Sequence, residues 1–147
     1  MYTPHIVTVV NMIVGDDYTA TYEATVLSGV FLDTTASRGA SNSAQTSPQD
    51  TATLYIPFNV EAYSAKTGSV QVYVKPHAYE QKADKSGFWT LREASDSSAT
   101  PCWFAKGIAA ADEYAEMRKN GDCWAVTAVR TLDFGSDGMQ HWAVSGR

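Results

Sequence analysis

Short runs in which apolar and polar residues alternate dominate this chain, and they constrain the fold more than any other feature. Leu54, Ile56 and Phe58 alternate with Tyr55 and other partners at the two-residue period of a half-buried strand. Comparable β-branched and apolar runs occupy 6–14, 18–32, 52–60, 70–75, 88–91, 101–107, 124–130 and 139–144. The pattern predicts a mainly β protein.

Only the stretch from about 108 to 120 has the character of a helix. Acidic residues lie toward its start, Arg118 and Lys119 lie at its end, and Gly121 follows, an order that suits the helix dipole and a glycine C-terminal cap. Strands that do not alternate with helices exclude repeated βαβ units. We expect a single domain, 1–147, forming a small partly open β-barrel or sandwich of six or seven strands, with the helix covering an end or an edge.

Turn residues indicate how the strands are connected. Gly15-Asp16-Asp17 separates the first two runs and predicts a β-hairpin. Pro57 places the third run at a sheet edge or ends it there. Val70, Val72 and Val74 give the cleanest alternation in the chain and predict a regular strand. The run 88–91 predicts either a short strand or an aromatic cover over the core.

The long polar stretch Asp33–Asp50 interrupts this pattern. It is rich in Ser, Thr, Ala, Asn, Gln and Gly, and loops of this length inside a domain are commonly functional or disordered. Two interpretations stay open at this stage. The stretch is either a solvated loop that tolerates insertion or a segment that becomes ordered against a partner chain.

Composition narrows the class of protein. The net charge is −5 and the eleven basic residues are scattered. This argues against a free-standing nucleic-acid binder but not against a subunit that lines a channel through which DNA slides. We find neither a signal peptide nor an apolar run long enough to span a membrane. Cys102 and Cys123 lack metal-ligand spacing, and a chain made in the cytoplasm is expected to keep both thiols reduced.

No catalytic arrangement emerges from the motifs. The triplet Asp133-Phe134-Gly135 lacks the other kinase motifs, so we expect Phe134 to plug the core beside a glycine turn. His77, Glu80 and Asp84 have helical spacing, but Pro76 and Gly87 leave little room for a shared helix. We therefore predict a non-enzymatic protein without a cofactor or metal ion. Four tryptophans and eight tyrosines fit a barrel core and subunit interfaces better than a stacking platform.

Short sequence motifs, most of them in the last third of the chain, resemble those of a known class of proteins. They are KNGD at 119–122, CWAVTAVR at 123–130, DFGS at 133–136 and MQHWAV at 139–144, with IPF at 56–58, YVKP at 73–76 and KSGFWTL at 85–91. Together they resemble small structural proteins encoded in the head-to-tail gene cluster of long-tailed phages and prophages of Gram-positive hosts. The long stretch 33–50 has no counterpart in that resemblance.

The resemblance implies a head-completion or head–tail stopper protein of the virion, made in the host bacterial cytoplasm. Such a subunit would form a homo-oligomeric ring below the portal, contact portal, adaptor and tail proteins, and meet packaged DNA non-specifically. The alternatives are a minor capsid, decoration or tail-completion protein, or an aromatic-lined ligand-binding β-barrel. The predicted partner contacts are Asp33, Arg38, Asn42, Gln45, Gln49, Asp50, His77, Tyr79, Lys82 and Lys85.

Overall fold

The computed structural model describes residues 3–14, 18–35, 51–93, 102–110 and 114–147. These residues form nine strands, two short α-helices and one 3-10 helix (Asp137–Met139). The strands are β1 (His5–Val14), β2 (Ala20–Thr35), β3 (Thr51–Pro57), β4 (Glu61–Ser64), β5 (Val72–Tyr73), β6 (Phe88–Trp89), β7 (Cys102–Lys106), β8 (Cys123–Leu132) and β9 (His141–Gly146); the helices are α1 (Pro76–Gln81) and α2 (Tyr114–Asn120). The prediction of a mainly β protein is confirmed.

Six of the strands pair side by side into a closed ring. The order is β1-β7-β8-β9-β3-β2, and β2 pairs again with β1. The length of β2, 16 residues, makes this closure possible. Its Ala20–Val30 portion pairs with β1, and its Phe31–Thr35 portion pairs with β3, both antiparallel. The hairpin predicted for the first two runs is thereby confirmed.

The seventh strand of the sheet, β4, extends the pairing of β2. It lies antiparallel to Thr25–Ser28, whose other edge is already occupied by β1. Only residues 58–60 separate β3 from β4, too few to cross over the sheet. We conclude that β3 and β4 follow one another along the same edge of β2.

A bulge at Gly29 marks the place where β2 changes partners. His5 pairs with Val30 and Ile6 pairs with Ser28, so Gly29 is the extra residue. Its φ of 92° lies in the left-handed region that favours glycine. Bulges bend a strand and increase its twist. A second register shift, between Val126 and Ala128 of β8, supplies another bend in the ring.

The core lies on both faces of β7. Cys102 and Phe104 point into the interior cluster of the ring, whereas Trp103 and Ala105 belong to a second cluster on the outer face. Met117 of α2 packs against this outer cluster. Both cysteines are free thiols, and because Cys102 lies in the interior cluster and Cys123 in the outer one, the fold does not bring them together as a disulfide.

The predicted helix is shorter than expected. Residues 108–110 are not helical, and the described helix begins at Tyr114. The reason is a pair of hydrogen bonds from β1: Thr8 Oγ1 donates to the carbonyl of Gly107 (2.8 Å) and accepts the Ala109 N–H (3.0 Å). These bonds hold the chain extended over the outer face. A second helix, α1, was not counted in the one-helix prediction.

The strand predicted from the valine alternation at 70–75 is shorter than expected. Only Val72–Tyr73 is a strand, and Val70 and Val72 are 78 % and 55 % exposed. Gln71 is instead buried, and its Nε2 donates to the carbonyl of Ser86 (2.8 Å). The interior side of this segment is occupied by Tyr73, which packs on Trp89.

The predicted loop at 33–50 begins later than expected. β2 continues through Asp33, which pairs with Thr53, and ends at Thr35, which pairs with Thr51. Residues 36–50 lie outside the described residues. The pairing nevertheless holds the two ends of this segment next to each other at one rim of the ring.

Gly146 gives a direct test of the interior packing. A Cβ atom at this position would lie 2.5 Å from the Phe104 ring and 2.7 Å from Trp124 Cβ. Because overpacking forces neighbouring side chains to shift, we expect Gly146→Ala to lower the free energy of unfolding by about 1–3 kcal/mol in urea denaturation. Gly138→Ala is the control, since a Cβ there meets nothing within 4 Å. Equal stability of the two variants would contradict this packing.

Candidate functional site

A cleft of about 770 Å³ opens at the end of the ring where β3 ends and β9 begins. Three aromatic side chains form its floor: Phe58 after β3, Tyr73 of β5 and Trp142 of β9. The position follows from the sequence, because Pro57 cannot continue the ladder as a donor. The chain turns there, and Phe58 remains tied to β9 through its N–H to the carbonyl of Gln140 (3.1 Å).

The floor of the cleft is a continuous aromatic cluster. The Trp142 ring centroid lies 4.5 Å from that of Phe58 and 4.3 Å from that of Tyr73, with the planes tilted by 47° and 46°. Trp89 packs edge-on beneath, 5.1 Å from Tyr73 and 6.0 Å from Trp142. Tilted and edge-on arrangements of this kind are favoured by the ring quadrupoles. The floor is therefore a packed cluster of four aromatic rings.

Charged side chains form the walls. Glu80 of α1 and Arg92 make an ion pair (2.9 Å) that ties α1 to the segment after β6. Both side chains remain partly exposed, so this pair contributes little stability on its own. Its effect is to hold one wall against another. The rest of the wall consists of Lys75, Pro76, His77, Leu91, Glu93, Val129, Thr131 and Asp133.

Glu93 ties the segment after β6 to β8 at the cleft. Its Oε1 accepts the Val129 N–H at 2.8 Å. A carboxylate accepting a backbone N–H makes a strong, charge-assisted hydrogen bond. Among the described strands, β7 pairs with β8 only at Cys123–Ala125. The Glu93 bond adds a contact to β8 beyond that pairing and fixes the wall.

Asn11 holds the other wall from inside the ring. Its Nδ2 donates to the carbonyl of Thr90 (2.8 Å), and its Oδ1 accepts the Thr90 N–H (3.2 Å). Both residues are buried. The side-chain amide thus pairs with the backbone as a neighbouring strand would. This contact positions Leu91, Arg92 and Glu93, which follow directly and line the cleft.

Burial shifts the acid–base properties of nearby groups. Burial raises the pKa of Tyr73 in the floor and raises the pKa of Tyr79 to about 12, with the charge of Glu23 adding to the effect. Burial also raises the pKa of the Cys102 thiol to about 11. Each of these groups is therefore protonated and uncharged at neutral pH. None of them has the lowered pKa of an activated nucleophile.

The cleft is suited to binding through apolar contact and charge. An aromatic floor with a mixed charged rim accommodates an apolar side chain or a small organic ligand.

Among the residues that the structure describes, no group of three or more His, Cys, Asp or Glu side chains could hold a metal ion. The motif His77, Glu80, Asp84 does not form one helix face, because α1 ends at Gln81. Asp84 instead accepts the Ser86 N–H (3.0 Å), which lowers its pKa.

The structure separates the residues predicted as partner contacts. Arg38, Asn42, Gln45, Gln49 and Asp50 lie outside the described residues. Asp33 is exposed on β2, and His77 lines the cleft.

The remaining three predicted contacts lie on or beside α1. Tyr79 is only 1 % exposed, because α1 turns its ring inward; its role as a partner contact stays a prediction. The Lys82 ammonium lies 4.4 Å from the Phe88 ring centroid, and that of Lys85 lies 5.9 Å from the Tyr79 ring. Both lysines therefore contact rings of their own chain.

Two further sequence expectations meet the structure here. Phe134 is 71 % exposed and does not plug the core; the loop between β8 and β9 carries it outward, while the adjacent Asp133 lines the cleft. The glycine turn at Gly135 is present, with φ of 90°. Asn11, Arg92 and Glu93 were not predicted. A lone amide within the β-branched run 6–14 was the one available signal for Asn11.

The chain belongs to DUF6751, a family of unknown function, whose model matches residues 2–147. No curated protein and no solved structure matches it. Within the described ranges, no helix is long and apolar enough to cross a membrane. The match to the family model covers both the ring of strands and the cleft, and the family assigns no activity to either.

Removal of the Asn11 amide tests how the cleft wall is held. Asn11→Ala leaves the buried N–H and carbonyl of Thr90 without this partner, and each orphaned group costs about 1–3 kcal/mol. We expect a loss of about 2–4 kcal/mol in the free energy of unfolding, measured by urea denaturation. Asn59→Ala, the same change at an exposed position, is the control and should stay within about 0.5 kcal/mol. A similarly small loss at Asn11 would show that the wall does not depend on it.

Proposed function

We propose that this protein is a virion structural protein of a phage, a head–tail connector subunit of the stopper or head-completion type. Subunits would assemble into a ring below the portal, help to retain packaged DNA and dock the tail. The observation that carries the proposal is the Thr35–Thr51 pair at the end of the β2–β3 hairpin. It fixes the two ends of the segment 36–50 side by side at one rim of the ring of strands. The resemblance of the C-terminal third supports the same class.

The two ends of the molecule differ, which suits a subunit with two kinds of contact. β3 starts at the rim that carries segment 36–50 and runs to the cleft, where Phe58 follows it. A closed ring built from head-to-tail contacts needs two different surfaces on each subunit. The segment 36–50 and the cleft lie at opposite ends of β3. They are therefore candidates for contacts with different virion proteins.

Charge is compatible with a position beside packaged DNA. The net charge of −5 disfavours tight binding to phosphates, so DNA would slide past such a ring without adhering. In this proposal the partners are copies of the chain itself, portal or adaptor proteins and tail proteins. The protein would be made in the host bacterial cytoplasm and end in the virion.

Shortening the segment 36–50 tests the connector role. In one variant, residues 37–48 are replaced by a flexible Gly-Ser linker that still joins Thr35 to Thr51. We expect the ring of strands to remain folded, with an unchanged urea midpoint, because the pairing of Thr35 with Thr51 closes this end of the β2–β3 hairpin. We also expect the variant to fail to join portal or tail components of the same gene cluster in light scattering, whereas the natural chain forms a defined ring with them.

The identity of the virion component that binds also distinguishes the connector role from the other virion roles. Binding to the major capsid protein alone would indicate a decoration or minor capsid protein, and binding only to tail components would indicate tail completion. If the shortened chain joins the oligomer with these components as efficiently as the natural chain does, segment 36–50 is not part of the contact. A natural chain that joins none of these components would contradict the connector proposal.

A ligand-binding role is the second candidate, and the cleft above Phe58, Tyr73 and Trp142 favours it. A glycan or oligonucleotide bound there would contact these rings and change the tryptophan fluorescence. In a titration with mixed glycans and short oligonucleotides, this role predicts a saturable change that Tyr73→Ala weakens. An exposed control such as Tyr18→Ala, 90 % exposed in the natural chain, should leave the titration unchanged. A flat response of the natural chain would remove this role.

A further inference from the structure

A second surface, distinct from the cleft, lies on the outer face of four strands. Direct cross-strand partners place Phe31 of β2, Tyr55 of β3, Ala143 of β9 and Arg130 of β8 in one row, because Phe31 pairs with Tyr55, Tyr55 with Ala143, and Ala143 with Arg130. Partners in a cross-strand row point to the same face of a sheet. The neighbouring strand residues Leu54, Ile56, Trp142 and Val144 point inward. This row therefore points outward.

Rows on either side complete the surface. One row contains His141, which pairs with Pro57 and with Leu132. The row on the other side contains Thr53, which pairs with Asp33 of β2 and with Ser145 of β9, and Ser145 pairs with Ala128 of β8. We call this the flank face, and its members are Phe31, Asp33, Thr53, Tyr55, Pro57, Ala128, Arg130, Leu132, His141, Ala143 and Ser145.

The middle of the flank face is aromatic and half-buried. The rings of His5, Phe31, Tyr55 and His141 form a chain of contacts with centroid distances of 5.5, 6.0 and 5.9 Å. α2 packs over the outer cluster around Trp103, and α1 contributes to the cleft. Neither of these described helices thus packs over the rings of the flank face. Tyrosine and phenylalanine surrounded by polar residues are typical of the centre of a protein–protein interface.

Two opposite charges flank these rings. Asp33 lies on β2 at one side of the face and Arg130 lies on β8 at the other, and both are exposed. Three strand spacings of about 4.8 Å separate β2 from β8, and Asp33 lies one row, about 6.8 Å, further along the strands than Arg130, so the two positions are roughly 16 Å apart. Every member of the face between them is uncharged or a histidine. Two copies of a surface with one anion at one side and one cation at the other can therefore face each other with each anion opposite a cation.

We propose that the flank face binds the flank face of a second copy of this chain in a two-fold symmetric pair. A two-fold axis in the plane of the face, inclined to the strands by roughly 25° because Asp33 lies one row away from Arg130, exchanges the β2 side of one subunit with the β8 side of the other. Arg130 of each subunit would then face the partner's Asp33, twice per pair. The rings of the two subunits would interdigitate between the stacked sheets, which lie about 10 Å apart. The proposal goes beyond the connector function, whose proposed contacts lie at the ends of the molecule.

The size of the face sets the expected strength. Four strands and three rows give a footprint of roughly 400 Å² per subunit, below the roughly 800 Å² of a standard interface. We therefore expect a weak pair with a dissociation constant in the micromolar range or above. Such a pair would exist in concentrated solution and separate on dilution.

Charge reversal tests this pairing and its symmetry. Asp33→Lys places a lysine against the partner's Arg130, and Arg130→Glu places a glutamate against the partner's Asp33. We expect each single variant to raise the dissociation constant at least tenfold in sedimentation equilibrium, since attraction becomes repulsion at two places. An equimolar mixture of the two variants should pair again, because every contact between the unlike subunits is then between opposite charges. The double variant should pair with itself.

Charge reversals away from the flank face are the controls. Lys106→Glu at the end of β7 and Asp137→Lys in the turn before β9 change exposed charges, and neither residue is a member of the face. Both should leave the dissociation constant unchanged. Circular dichroism of every variant checks that the β ring is intact.

Three outcomes would overturn the proposal. The first is a natural chain that stays monomeric at every concentration reached. The second is single variants that pair as well as the natural chain. The third is a mixture that does not pair, which would mean that the face meets a different surface. The connector proposal is tested by virion components in a separate experiment, so either proposal can fail while the other stands.

Discussion

The pairing of β2 on both of its edges is the constraint on which the rest of this structure depends. One 16-residue strand pairs with β1 along its first part, with β4 on the other edge and with β3 along its last part. Gly29, with its positive φ, provides the bulge near which the partner changes. Without this bend, β1 and β3 would not lie in one closed ring, and the interior that holds Trp89 and Trp142 would be open to water.

Two side chains that bind backbone groups connect the ring to the cleft. Asn11 pairs with the backbone of Thr90, and Glu93 accepts the N–H of Val129. The Asn11 contact satisfies buried groups of Thr90, which would be costly to leave without a partner. The same two contacts fix the segment between them, which carries the arginine that pairs with Glu80. Stability and the shape of the cleft therefore share these residues.

Strand alternation was informative wherever a strand had one face in the interior, and misleading where it had not. The alternation of Leu54 and Ile56 correctly predicted β3, whose buried positions are these residues. The same alternation at Val70 and Val72 predicted a regular strand, but only Val72–Tyr73 is one, Tyr73 takes the interior position and the valines face solvent. The alternation shows which residues lie on the same face of a strand, but only the elements that pack against the strand decide which face is buried.

Sequence alone determined the class of this fold: mainly antiparallel strands, a hairpin at the start, a short helix before Gly121 and two thiols without a metal spacing. Those features depend on propensities and turn residues that act over a few positions. Tertiary structure decided the closure of the ring, the cleft above Trp142, the burial of Tyr79 and the row that joins Phe31 to Arg130. These depend on contacts between residues far apart in the chain, and a two-residue period carries no information about which distant strand will be the neighbour.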